Sequence, residues 1–60
     1  MNILQKQKLI SLSTDLQTAC IAYGRAVANA TDPDNDVWVR KMSEKWKEAE
    51  DAFREYIVML

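Results

Sequence analysis

Hydrophobic positions recur along most of the chain at alternating intervals of three and four residues. One series runs from Leu9 to Ala30, and a second runs from Val39 to Leu60. A repeat that averages 3.5 residues places its members on one stripe of an α-helix, as in the seam of a coiled coil. We expect the main packing residues of this seam to be Leu9, Leu12, Leu16, Tyr23, Val39, Met42, Trp46, Phe53 and Tyr56.

The corner between the two series reads ATDPDNDVW, residues 30–38. Because proline disfavours helical geometry in the residue before it, we expect Asp32 to be the N-cap and Pro33 the first residue of a second helix. Asp34 and Asp36 would then lie in the first turn, where the helix dipole favours acidic side chains. The sequence therefore predicts helix one at residues 3–29, a turn at 30–32 and helix two at 33–58.

The same corner carries aspartates at every second position, which is how an EF-hand calcium loop begins. Such a loop requires glycine at its sixth position and a bidentate glutamate at its twelfth. Counting from Asp32, those positions hold Val37 and Ser43. We therefore interpret the aspartates as helix-capping residues and predict no metal site.

An alternative concerns the continuity of helix one. Thr14 and Gln17 have the spacing of a capping box, which would start a new helix near Ser13. The heptad pattern passes through this point without a shift in phase. One continuous helix is therefore favoured, and a break near Ser13 stays open at this stage.

A short corner between two amphipathic helices predicts an all-α fold, an antiparallel two-helix hairpin that forms a single domain over residues 1–60. In the expected register, large side chains of one helix lie opposite small ones of the other, with Trp46 next to Ala19. Gly24 is expected to allow close approach of helix two, and Cys20 is expected to be a small buried hydrophobic residue.

Several hydrophobic residues do not fit on the seam. A stripe widened in this way is typical of a four-helix bundle, which two hairpins could form as a homodimer. A chain of 60 residues is also marginally stable alone. The surplus residues could instead contact a different protein. The candidates for such a partner surface are Ile10, Ile21, Val37, Trp38, Ile57 and Met59.

Composition limits the chemistry that the chain could perform. It has one cysteine and no histidine, which excludes an internal disulfide and argues against a classical zinc site or a histidine general base. There is no glycine-rich phosphate loop. We therefore expect a protein without enzymatic activity or cofactor. No apolar stretch approaches the ~20 residues of a membrane span, so we expect a soluble, cytoplasmic protein.

The formal net charge is −1, which gives no strong attraction to nucleic acid or membranes. A dimer could still assemble a basic edge, so a nucleic-acid-binding regulator is the alternative function. Its candidate contacts are Lys6, Lys8, Arg25, Arg40 and Lys41.

The length, the opening MNILQKQKLISLSTDLQ and the two-helix pattern resemble the small helical accessory proteins of temperate phages of enteric bacteria. This resemblance implies an accessory or regulatory protein that binds a host or phage protein. It transfers no functional residue to this chain. The leading hypothesis is thus an interaction protein that acts through an oligomeric helical bundle.

Overall fold

The structure, a computed structural model, describes residues 1–60 as two antiparallel helices. Helix α1 comprises Ile3–Asn29 and helix α2 comprises Val37–Met59, with a short 3-10 turn at Pro33–Asn35 between them. The hairpin measures 46 × 15 × 9 Å. The turn lies at one end, and both termini lie at the other, which we call the open end. The chain has no strand. The prediction of an all-α hairpin is confirmed.

Helix α1 begins at a reciprocal pair of hydrogen bonds. The backbone N–H of Gln5 donates to the side-chain oxygen of Asn2 at 2.8 Å, and the backbone N–H of Asn2 donates to Oε1 of Gln5 at 2.9 Å. This capping box satisfies two N–H groups that have no partner within the helix. The helix then continues through Ser13 without interruption, so the alternative of a break there is wrong.

Helix α2 begins later than the sequence predicted, at Val37 and not at Pro33. Asp36 is the N-cap, with its carboxylate accepting from the backbone N–H of Trp38 at 2.8 Å and of Val39 at 3.0 Å. Asp32 caps the 3-10 turn only by position, and its side chain accepts from the Asn35 amide. Aspartate and asparagine favour caps and turns over helix interiors, so this segment forms a turn before the helix starts.

The capping role of Asp36 leads to a stability prediction. Asp36→Ala should lower the free energy of unfolding by about 1 kcal/mol, because two N–H groups lose their acceptor. Asp32→Ala is the matched control, and we expect it to cost less than about 0.5 kcal/mol. Urea denaturation followed by circular dichroism at one protein concentration measures both. A larger loss for Asp32→Ala than for Asp36→Ala would contradict the assigned helix start.

The buried core is small and lies near the turn. Only three of the 60 residues are buried, and they are Ala26, Val39 and Met42. Partly buried residues that pack against them are Ala22, Tyr23, Val27 and Ala30. At the open end the helices meet where the Tyr56 hydroxyl lies 3.5 Å from the carbonyl oxygen of Gln5. The hairpin is therefore anchored at the turn and loosely packed elsewhere.

Two expectations about the small residues of α1 are wrong. Cys20 is exposed, and a Cβ atom added to Gly24 would meet nothing within 4 Å. The physical reason is geometric, because one helix covers only a narrow stripe of its neighbour. Both residues lie outside the stripe of α1 that α2 covers. Within the hairpin, Gly24 is therefore not required for close approach of α2.

Candidate functional site

The predicted seam residues form the contact between the helices. Val39 and Met42 are buried. The other members are half-buried, and they are Leu9, Leu12, Leu16, Tyr23, Trp46, Phe53 and Tyr56. Leu16, Trp46 and Phe53 also line a groove on one side of the hairpin, and Met42 lines a groove on the other.

One contact across the seam joins two aromatic rings. The ring centroids of Tyr23 and Trp46 are 5.2 Å apart, with the planes inclined by 35°. The sequence register placed Trp46 next to Ala19, so a large side chain was expected to meet a small one. A tilted aromatic pair adds about 0.5–1.5 kcal/mol beyond the burial of its area. This contact holds Trp46 against α1, and the half-buried indole also lines a groove beside the seam.

An apolar groove runs along the side of the hairpin to which Cys20 points. Its only charged side chains are Glu50 and Arg54, whose Oε1 and Nη2 atoms form an ion pair at 2.6 Å. We call it the Cys20 groove, and its lining residues are Leu16, Gln17, Cys20, Trp46, Glu50, Phe53, Arg54, Ile57 and Val58. The sequence pattern did not indicate Cys20 or Val58 as part of such a surface. The i,i+4 spacing of Glu50 and Arg54 does predict their ion pair.

A second groove lies on the other side of the seam and nearer the turn. We call it the Trp38 groove, and its lining residues are Thr18, Ile21, Ala22, Arg25, Ala26, Asn29, Ala30, Asp36, Trp38 and Met42. It shares no lining residue with the Cys20 groove, since residues two apart on α1, such as Cys20 and Ala22, do not face the same way. The Nζ atom of Lys41 lies 5.6 Å from the centroid of the Trp38 ring, a cation–π distance.

The positions predicted as one partner surface are all exposed but lie on different sides of the hairpin. They are Ile10, Ile21, Val37, Trp38, Ile57 and Met59. Ile57 lines the Cys20 groove, and Ile10 lines an adjoining hollow that shares Phe53 with it. Ile21 and Trp38 line the Trp38 groove. The remaining two lie at opposite ends of α2. The hairpin thus has two apolar sides.

The basic positions considered for nucleic acid do not form one edge within the hairpin. They are Lys6, Lys8, Arg25, Arg40 and Lys41, and all are exposed. Lys6 and Lys8 are near the open end, whereas Arg25 lies 17 residues further along α1, about 25 Å away at 1.5 Å per residue. Lys6 and Lys8 also project to different sides of α1.

Other kinds of site have little support in the hairpin. No group of three or more histidine, cysteine, aspartate or glutamate side chains is arranged to hold a metal ion. Neither helix combines the length and the apolar character that crossing a membrane requires. The two grooves are therefore the main candidates for a functional surface.

Comparison with protein families, curated proteins and solved structures finds no significant match to this chain. Any functional assignment therefore depends on the grooves themselves.

The two tryptophans provide a test of the described packing. Trp46→Ala should lower the free energy of unfolding by about 3 kcal/mol, because it removes the main aromatic contact between the helices. A domain of this size rarely has more than about 3–5 kcal/mol in total, so this variant should be largely unfolded. Trp38→Ala is the control and should cost less than about 1 kcal/mol, since the side chain is 59% exposed.

Thermal unfolding followed by circular dichroism compares the two variants at equal protein concentration. Similar losses for both, or a larger loss for Trp38→Ala, would show that the register of α2 against α1 differs from the one described.

Proposed function

We propose that this chain is a small, non-enzymatic interaction protein that forms a homodimeric four-helix bundle and docks on another protein. The observation that carries the proposal is the imbalance between core and surface. Three residues are buried, whereas eleven large hydrophobic side chains are exposed. Extended exposed apolar surface on a soluble protein usually marks an interaction site.

The presence of two apolar sides explains why both self-assembly and partner binding belong to the proposal. Packing of two hairpins through one side would give a four-helix bundle, in which each helix buries a wider stripe than it does in a pair. The other side of each hairpin would stay accessible. The resemblance to phage accessory proteins implies a host or phage protein as the partner. The identity of the partner stays a prediction.

The Trp38 groove indicates the chemistry of a suitable partner. Trp38 is a large aromatic side chain at the surface, and Arg25 and Lys41 lie beside it. Exposed aromatic and arginine side chains are common anchors of protein interfaces. An amphipathic helix with apolar anchors and nearby carboxylates would satisfy both features.

Nucleic-acid binding has weaker support. Lys6 and Lys8 lie near the open end, far from Arg25, and the Trp46 ring is packed against Tyr23. Single-stranded nucleic acid is usually held by a basic groove with accessible aromatic rings. Trp38 with Arg25 and Lys41 approaches this combination, but Asp36 in the same groove offsets part of the positive charge.

Affinity capture from a lysate of the source cells tests the proposal. The tagged chain and its Trp38→Ala variant serve as baits, each with and without nuclease treatment, and circular dichroism checks that both are folded. We expect at least one protein to bind the tagged chain after nuclease treatment and to be depleted by about tenfold or more with the variant, since a hot-spot residue contributes at least that factor.

Loss of every captured protein on nuclease treatment would instead favour the nucleic-acid-binding function. Equal capture by both baits would contradict a role for the Trp38 groove.

A further inference from the structure

We propose that a second copy of this chain covers the Cys20 groove, which makes that groove the dimer interface. The inference deepens the proposed function and rests on it, because it assigns one face of the hairpin to the proposed assembly. Surface area, the position of the core and the distribution of charge each support this face and this occupant.

The first support is the accessible surface of the hairpin. The chain has a mass of 6.9 kDa and exposes 4838 Å². A compact monomer of this mass is expected to expose about 4,000 Å². The excess is about 800 Å², which is the area that each partner contributes to a specific interface of ordinary size. A single second copy, bound through one face, is therefore enough to cover it.

The second support is where the hairpin lacks a core. The buried residues Ala26, Val39 and Met42 all lie toward the turn, and no side chain near the open end is buried. The Cys20 groove extends over that poorly packed part, along α2 from Trp46 to Val58. Regions with few buried contacts open easily in a monomer. A second copy in this groove would bury the half-buried seam residues in the part of the hairpin that has no buried core of its own.

The third support is charge. In the Cys20 groove the only two charged side chains, Glu50 and Arg54, already neutralise each other. A two-fold interface buries the same surface of both copies, so each unpaired charge in it is buried twice and is costly unless an opposite charge lies at the matching position. The other side of the hairpin carries Asp15, Lys45 and Glu48 along its continuation, and none of them forms an ion pair. The Cys20 groove is therefore the side more easily buried against itself.

Sedimentation equilibrium of the full chain and two lysine variants tests the proposal. Cys20→Lys places a charge in the Cys20 groove, and Thr18→Lys places the same charge at an exposed α1 position in the Trp38 groove. We expect the wild-type chain and Thr18→Lys to have twice the monomer mass. Cys20→Lys should raise the dimer dissociation constant by about 100-fold or more, because two lysines would be desolvated at the interface.

Cys20→Lys could lose its fold when it loses its partner, so a second measurement uses the wild-type chain. Cys20 is exposed in the isolated hairpin. The measured quantity is the rate at which iodoacetamide alkylates Cys20, relative to the rate for a short cysteine peptide. This relative rate should fall about tenfold or more as the protein concentration rises through the range in which the dimer forms. At the upper end of that range at most a tenth of the chains remain monomeric, and only those expose Cys20.

The outcomes separate this inference from the proposed assembly. A wild-type chain that is monomeric at all concentrations overturns both. A dimer that Cys20→Lys leaves intact, or that Thr18→Lys weakens equally, overturns only the assignment of the groove. A dimer whose Cys20 is alkylated at the monomer rate does the same.

Discussion

The architecture depends on one geometric constraint: two helices can cover only a single stripe on each other. In this hairpin that stripe yields a compact core only near the turn, where Ala26, Val39 and Met42 are buried. Aromatic contact between Tyr23 and Trp46 continues the packing toward the middle of the helices. Beyond it the seam residues are only half-buried. The hairpin thus exposes apolar surface on both sides, and its functional interpretation follows from this incomplete burial.

Local sequence signals were sufficient for the fold because they act within one or two turns. The alternation of three- and four-residue intervals identified both helices. The start of α2 was misplaced because Asp32 and Asp36 are both good capping residues, and the choice between them depends on the geometry of the whole linker. The backbone turns once at Pro33–Asn35, which leaves Asp36 to cap the helix. Proline alone could not indicate that intervening turn.

The candidate surfaces were harder to predict because they depend on which flank of each helix lies on the same side of the seam. Heptad positions identify a flank but not its neighbour on the other helix. The residues predicted as one partner surface are therefore divided between two grooves, one containing Ile57 and one containing Trp38. The predicted burial of Cys20 was wrong for the same reason, since the exposure of this residue depends on the width of the stripe that α2 covers.

In the proposed assembly, folding and self-association of the hairpin are coupled. The urea midpoint measured at different protein concentrations tests this coupling most directly. If two chains fold together as a dimer, a hundredfold rise in concentration stabilises the folded state by about 2.7 kcal/mol per dimer. The urea midpoint should then increase by about 1–2 M. A cooperative transition with the same midpoint at every concentration would show that the hairpin folds alone and would contradict the proposed assembly.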